Sequence, residues 1–131
     1  MGKIIYQNEV LLRGIVQDKV SFKKSKNGKM FCSFALSVNT DERYVSETDT
    51  NGHVFVMILA VNYKKNKIVD ILKANNFRRG LYVKVKGRLV TSTTEIKGKR
   101  LMRTAVKLKE ISYINSETQE ETPIIIAKEQ K

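Results

Sequence analysis

Two stretches near the start of the chain have the apolar pattern of β-strands. The first strand is expected over residues 10–16, where branched apolar side chains predominate and Gly14 predicts a bulge or a sharp bend. The second is expected over residues 30–38, where every second side chain can face a core and the alternate ones face away. Asn27-Gly28 lies between the two and predicts a hairpin turn.

A third strand and a helix follow. The polar residues 39–52 predict a flexible hairpin loop, and the apolar residues 53–62 predict the third strand. Residues 67–77 have apolar side chains at three- and four-residue spacing, which predicts an amphipathic helix that ends before Gly80. The predicted buried stripe of this helix consists of Ile68, Ile71 and Leu72.

Two more strands complete the pattern. They are expected over residues 81–90, with a bulge at Gly87, and over residues 101–114, and a polar hairpin around Gly98 joins them. The order of three strands, one helix and two strands is that of the OB-fold. We therefore predict an all-β protein with one helix, in which a five-stranded Greek-key barrel carries the helix between strands 3 and 4.

The chain, at 131 residues, has the length of a single domain. Residues 1–114 would form the OB-fold, and residues 115–131 would form a tail that is either disordered or a short edge strand at Ile124-Ile125-Ile126. No apolar run is long enough to cross a bilayer, and residues 1–8 lack the apolar stretch of a signal peptide. These features predict a cytoplasmic protein without a membrane partner.

Charge is the most informative part of the composition. The chain has 25 lysines and arginines against 13 aspartates and glutamates, a formal net charge of +12 and a pI of about 9.9. Basic residues predominate between Lys67 and Lys109, where the only acids are Asp70 and Glu95, whereas acids outnumber bases from Glu110 onward. A basic body with an acidic end indicates a polyanionic partner, and nucleic acid fits this description best.

The inventory of reactive side chains excludes most enzyme mechanisms. Cys32 is the only cysteine and His53 the only histidine, so an internal disulfide and a zinc site of His and Cys ligands are both ruled out. A catalytic triad would have to use His53, which lies in a polar stretch. A nuclease would need clustered carboxylates for its metal, but the acids are scattered through loops and tail. We therefore expect no catalysis, no metal and no cofactor.

Several short segments resemble a known family in their order and spacing. Residues 8–14 (NEVLLRG), 26–28 (KNG), 34–39 (FALSVN) and 80–89 (GLYVKVKGRL) follow one another along the chain. They resemble the corresponding segments of bacterial and phage single-stranded DNA-binding proteins, and the resemblance covers roughly residues 8–114. It implies an OB-fold that assembles into homodimers or homotetramers. It also implies coating of single-stranded DNA at the nucleoid in replication, recombination and repair, with bases stacked in a basic groove.

Two departures from the family pattern qualify this resemblance. Many members stack bases on tryptophans, but this chain has none, and Glu42, Val54 and Thr94 stand at or near the matching positions. Cellular members also end in an acidic tip that closes on phenylalanine, whereas this chain ends at Lys131. The missing tip favours a protein from a phage, a plasmid or another mobile element, or a primosomal relative that works as a dimer, whereas the missing tryptophans weaken the preference for DNA.

Phenylalanine and tyrosine would have to supply the stacking. Phe22 lies beside Lys23 at the start of the first hairpin, where family members often carry a stacking ring, although it could instead fold over the barrel end. Phe31 and Phe55 would project from the outer sides of strands two and three, and Tyr44 lies on the predicted loop. Each ring that stacks on a base contributes about 1–3 kcal/mol.

Lysines and arginines in three places would contact the phosphates. They lie in the first hairpin, on the fourth strand and in the last hairpin, which flank one face of an OB-fold sheet. The predicted DNA-binding cations are Lys23, Lys24, Lys26, Lys29, Lys84, Lys86, Arg88, Lys97, Lys99, Arg100 and Arg103.

The predicted function is therefore sequence-independent binding and protection of single-stranded DNA, with replication or recombination proteins as further partners. Two alternatives stay open. One is an RNA-binding OB protein of the translation or cold-shock type, which would recognise the 2′-hydroxyl. The other is a primosomal or replisomal adaptor whose main partner is a protein.

Overall fold

The computed structural model describes residues 2–39 and 53–125, and within these ranges it contains six strands and one helix. The elements in chain order are β1 (Val10–Lys24), β2 (Met30–Asn39), β3 (His53–Val61), α1 (Ile68–Ala74), β4 (Tyr82–Ile96), β5 (Lys99–Ile114) and β6 (Glu121–Ile125). The predicted order of the first five strands and the helix is confirmed. The predicted loop of residues 39–52 lies outside the described residues after Asn39, which ends β2.

Five of these strands close into a barrel. The sheet runs in the order β3-β2-β1-β4-β5-β6, and β3 also pairs in parallel with β5 through Ile58 and Val106. The other strand pairings in the described ranges are antiparallel. The closed barrel, with its helix between the third and fourth strands, confirms the predicted fold class.

Alternate side chains of the strands fill the barrel. The larger side chains among the deeply buried strand residues are Val16, Cys32, Phe34, Leu36, Ile58, Val83, Val85, Val106 and Ile111. Cys32 is thus the buried small residue that alternation along β2 predicts. Burial raises the pKa of its thiol to about 12, so the thiol stays protonated near neutral pH and is a poor nucleophile.

The helix α1 buries a different stripe from the one predicted. It spans seven residues, and its buried side chains are Ile68, Val69 and Leu72. Ile71, which the spacing predicts to be buried, is 36% exposed. Together with Phe77, whose ring lies edge-on to Phe34 at 4.8 Å between centroids, the buried side chains of α1 cover one end of the barrel.

The end of α1 is set by an asparagine rather than by Gly80. Asn76 has a φ of 54°, the left-handed conformation that terminates many helices. Its amide donates to the carbonyl oxygen of Lys73, and the amide of Phe77 donates to that of Leu72, both at 3.1 Å. These two bonds form a Schellman motif, which ends the helix short of the predicted residue 77.

Both predicted hairpin turns are present, but the second is tighter than expected. Gly28 has a φ of +82°, as the Asn27-Gly28 pair predicts. Lys97 and Gly98 both have positive φ, 51° and 77°, and form a two-residue turn. Residues 93–100, predicted to be a polar loop, therefore mostly continue the ladder of β4 and β5, since polar side chains are tolerated on an exposed hairpin.

The irregularity of β1 does not lie at Gly14, where a bulge or bend was predicted. The register shifts between Gln17 and Ser21, where Asp18 has a φ of 55°. Gly14 is required for another reason, because a Cβ atom at this position would overlap the carbonyl oxygen of Ser37 on β2.

A bulge is present at Gly87, as predicted, but its extra residue is Lys109 on the neighbouring strand β5, because Lys86 pairs with Glu110 and Gly87 with Leu108. The register of β4 with β5 shifts between Lys86 and Gly87. A Cβ atom at Gly87 would overlap the carbonyl oxygen of Lys107. The neighbouring strand therefore approaches the backbone at this position more closely than any side chain would allow.

Part of the segment predicted as a tail forms β6. This strand pairs with β5 and carries Pro123, which a strand tolerates at the edge of a sheet. Ile125 is buried in the core, and α1 contacts β2, β3 and β6. Ile126 and the residues after it lie outside the described part of the chain.

We expect alanine at Gly14 or Gly87 to destabilise the barrel. The added methyl group would overlap a backbone carbonyl, so a strand must shift, and overpacking of this kind costs about 1–3 kcal/mol. Urea unfolding followed by circular dichroism should show a lower midpoint for both variants. Gly2→Ala is the control, because its Cβ meets open space. Wild-type midpoints for G14A and G87A would rule out the close approaches.

Candidate nucleic-acid interface

On the outer face of β1, β2 and β3, a row of small residues follows β2, and we call this row with its flanking residues the outer groove. The small residues Ser33, Ala35 and Ser37 face outward between the buried positions of β2 and form its floor. The residues beside them on β1 and β3, most of them larger, are Ile15, Gln17, Ser21, Phe55, Met57 and Leu59. A flat ring can approach the backbone closely along such a floor.

Phe31 and Phe55 stand at opposite ends of this outer groove. Phe31 is on β2 and lies next to Val61 of β3, whereas Phe55 is on β3 and lies next to Ser37. At the rise of a β-strand, the rows of Phe31 and Ser37 are about 20 Å apart. Phe31 is 38% and Phe55 is 64% exposed, so both rings present a surface to a ligand. Met57, between them, is also exposed.

The other two predicted rings do not join this pair. Phe22 pairs with Cys32, which faces the core, and it packs half-buried against the hydrophobic core. Its position is that of a ring folded over the barrel end, separate from Phe31 and Phe55. Tyr44 lies outside the described residues.

The lysines of the first hairpin divide between two sides. Lys23 is the cross-strand neighbour of Phe31 and shares its outer side. Lys24 and Lys29 line a cleft that faces the segment after β3, and Lys26 is exposed in the turn. Only Lys23 therefore lies directly beside the outer groove.

The predicted cations of β4 are partly neutralised. Lys84 Nζ lies 2.9 Å from Glu121 Oε1, and Arg13 Nη2 lies 3.3 Å from Glu121 Oε2. Lys86 Nζ lies 4.0 Å from Glu110 Oε2. A phosphate group at this part of the barrel would have to compete with carboxylates that the protein itself supplies.

One side of the β4–β5 hairpin continues the outer face of the barrel, because Lys107 of β5 pairs with Leu59 of β3. Strand alternation and register place four cations on this side: Arg88, Lys99, Arg103 and Lys107. Arg100 lies on the opposite side of the hairpin, and Lys97 lies in the turn. The predicted basic hairpin therefore directs only part of its charge toward the outer face.

Tyr63 is an unpredicted member of this surface. Its ring centroid lies 4.6 Å from Lys107 Nζ and 5.3 Å from Lys29 Nζ, both within cation–π range. Alternate residues from Phe55 onward face outward on β3, and continuing that count past the strand end reaches Tyr63. The alternation signal was therefore present in the sequence. Lys107 and Arg13 are further unpredicted cations of the outer face, and their placement depends on strand register.

The described residues contain no group of three His, Cys, Asp or Glu side chains that could hold a metal ion. His53 Nδ1 lies 3.3 Å from Ser37 Oγ, at the Phe55 end of the groove. In the same part of the chain, no helix is long and apolar enough to cross a membrane.

Comparison with known proteins identifies the fold. No family model and no curated protein matches the sequence. Among solved structures, the chain is similar to the Plasmodium falciparum SSB in complex with ssDNA, with a TM-score of 0.66 and 19% identity over 87% of this chain and 100% of that one. The chain has the OB-fold of these proteins.

Two further structures agree on this fold. The N-terminal domain of the PriB protein from Thermoanaerobacter tencongensis, described as dimeric, has a TM-score of 0.55 and 21% identity over 83% of this chain and 98% of that one. A deletion mutant of the single-stranded DNA-binding protein from Thermus aquaticus has a TM-score of 0.62 and 15% identity, over 86% of this chain and 53% of that one. The resemblance to this class of fold, expected from the sequence, is confirmed.

Proposed function

We propose that the protein binds single-stranded DNA without sequence preference, along the outer groove and onto the basic side of the β4–β5 hairpin. The observation that carries this proposal is the row of small residues on the outer side of β2, with an exposed phenylalanine at each end. Bases stack on Phe31 and Phe55, and the cations beside them neutralise phosphates. Stacking accepts every base, so the binding does not depend on sequence.

The arrangement suits a single strand better than a duplex. A duplex keeps its bases paired and stacked, and would offer the groove only its backbone. A single strand can unstack its bases and place them on the two rings. The similarity to a fold solved with ssDNA supports this choice.

The same proposal assigns the protein no covalent chemistry. Its thiol is buried and protonated, and the groove is lined by rings, small residues and aliphatic side chains. Its role is to coat and protect exposed strands during replication or recombination, in a phage, plasmid or other mobile element, and it acts at the nucleoid of the host cell.

The protein is further proposed to act as a homodimer or homotetramer. Ile4, Ile5 and Tyr6 are at least 80% exposed, and an exposed apolar cluster is typical of an interaction surface. Asn8 anchors this segment, because its side-chain amide accepts from the Leu89 amide at 2.7 Å and donates to the Leu89 carbonyl at 2.9 Å. These two bonds fix residue 8 beside β4, and the exposed apolar side chains that precede it would meet a second copy.

Fluorescence anisotropy with labelled oligomers tests the proposed ligand. We expect oligothymidylate to bind more tightly than duplex DNA of equal length, with an affinity that falls as salt rises. About five phosphate contacts would give a log–log slope of about −3 to −4, at about −0.7 per contact. Light scattering of the same samples should show a mass of two or four chains.

Three results of that experiment would count against the proposal. Equal affinity for single strand and duplex would show that the outer groove does not select single strands. A preference for RNA of matched sequence would favour the RNA-binding alternative. Weak, salt-insensitive binding to every oligomer would favour the adaptor alternative, in which the main partner is a protein.

Phe31→Ala and Phe55→Ala should each weaken binding to oligothymidylate by about 5- to 150-fold, which corresponds to the loss of about 1–3 kcal/mol of stacking. Ile71→Ala is the matched control, because Ile71 is about as exposed as Phe31 but lies on α1. All three proteins should unfold at similar urea concentrations. Affinities for F31A and F55A equal to that of I71A would exclude stacking on these rings.

Glu121→Gln should tighten binding severalfold. The substitution keeps the size of the side chain but removes the charge that holds Arg13 and Lys84, so both cations become available to phosphate. The salt slope should steepen by up to about 1.4 if both then contact the strand, at about 0.7 per contact. Glu117→Gln changes the net charge equally from an exposed turn and is the control. The same slope for both variants would show that the ion pairs do not compete with DNA.

A further inference from the structure

A second surface lies beyond the Phe31 end of the outer groove. It is a cleft of about 610 Å³ between the β1–β2 turn and the segment that connects β3 to α1. Its charged lining consists of four lysines, Lys24, Lys29, Lys64 and Lys67, and one acid, Asp70. The proposed site on the outer face does not include Lys64 or Lys67, and no sequence pattern predicted a role for them.

Hydrogen bonds fix the walls of this cleft. The amide of Asn62 donates to the carbonyl oxygen of Met30 at 3.1 Å, which ties the end of β3 to the start of β2. Tyr63 and Asn66 exchange two backbone hydrogen bonds, at 2.9 and 3.2 Å, which close the turn that carries Lys64. The lysines therefore project from a backbone that needs little reordering to receive a ligand.

The single acid of the cleft is already engaged. Asp70 Oδ1 accepts a hydrogen bond from Asn62 Nδ2 at 3.1 Å, and Asn62 Oδ1 accepts one from the Val69 amide at 2.7 Å. This chain of bonds turns the carboxylate toward Asn62 and the start of α1. The net charge of the lining stays strongly positive, so the chemical class of ligand that fits it is a phosphate-bearing one.

Tyr63 connects the cleft to the outer groove. Phe31 lies beside Val61, and Tyr63 is the next residue on the same side of the chain. Its ring contacts Lys107, on the outer face, and Lys29, in the lining of the cleft. A strand that leaves the groove at Phe31 thus passes Tyr63 and reaches the lysines without crossing an acidic side chain in the described part of the chain.

We infer that this cleft binds the backbone phosphates of single-stranded DNA where the strand leaves the outer groove, and that Lys64 and Lys67 supply the contacts. The inference rests on the proposed function and extends it, because it gives the bound strand a path beyond the end of the outer groove. The volume lies in the range of small-ligand sites, large enough for a sugar–phosphate unit. We choose the backbone over a free nucleotide because the cleft is continuous with the groove through Tyr63.

The double variant Lys64→Ala with Lys67→Ala tests this inference. It should be compared with wild type on oligothymidylates of about 4 to about 16 nucleotides, the range of OB-fold site sizes. The shortest oligomers, held in the groove alone, should bind equally well. The longest should bind more weakly to the variant, with a salt slope smaller by about 1.4, the loss of two contacts of about 0.7 each. When salt rises from 50 to 200 mM, wild type should therefore lose about sevenfold more affinity for the longest oligomers than the variant loses.

Lys73→Ala with Arg79→Ala is the control, because it removes the same charge from exposed positions outside the cleft. It should show no dependence on oligomer length. If the cleft variant behaves like this control at every length, or loses the shortest oligomers as well, the inference is wrong. Saturable binding of thymidine 5′-monophosphate that the cleft variant abolishes, without any length effect, would instead make the cleft a nucleotide site and overturn the strand path.

The outcome stays separate from that of the proposed function. If F31A and F55A weaken binding and the cleft variant does not, the groove stands and only the exit site fails. If F31A and F55A bind like wild type, the groove itself fails, whatever the cleft variant shows. Circular dichroism of the cleft variant should match wild type, because both lysines are exposed.

Discussion

The parallel pairing of β3 with β5 is the contact on which the rest of the structure depends. It consists of two rows, Ile58 with Val106 and Leu59 with Lys107. The first row faces inward and is fully buried, so it completes the core. The second faces outward and joins the groove on β2 to the basic side of the β4–β5 hairpin. One short pairing therefore both seals the barrel and makes the two halves of the proposed DNA surface continuous.

The sequence predicts the elements well where turn chemistry and alternation agree. The turn at Asn27-Gly28 and the bulge at Gly87 could be predicted because each follows from a local backbone requirement. The length of the β4–β5 hairpin was not, because residues 93–100 are polar on both sides and no burial pattern marks them as strand. The helix end was also missed, because Asn76 adopts the left-handed conformation before Gly80 can.

The placement of the candidate site residues in the fold was predicted less completely, and the reason is strand register. Phe31 and Phe55 follow from alternation within a single strand, which sequence shows directly. The inner position of Phe22 follows from its pairing with Cys32, and the neutralisation of Lys84 follows from Glu121 of β6. Both depend on contacts between distant parts of the chain, which no local pattern encodes. The count of 25 lysines and arginines therefore overstates the cations that the protein offers to a phosphate, since some of them are paired with carboxylates within the fold.

The two-residue turn at Lys97 and Gly98 makes the β4–β5 hairpin a rigid arm. Its backbone is fixed by cross-strand pairing when the protein folds, so a ligand need not supply the about 1–2 kcal/mol per residue that ordering a flexible loop would cost. Strand geometry also restricts how such an arm can change in evolution. One residue added to each strand would turn Lys99 and Arg103 to the opposite side, whereas two would keep them on the outer face and lengthen the arm by about 7 Å. Insertions and deletions in this arm should therefore be accepted in pairs.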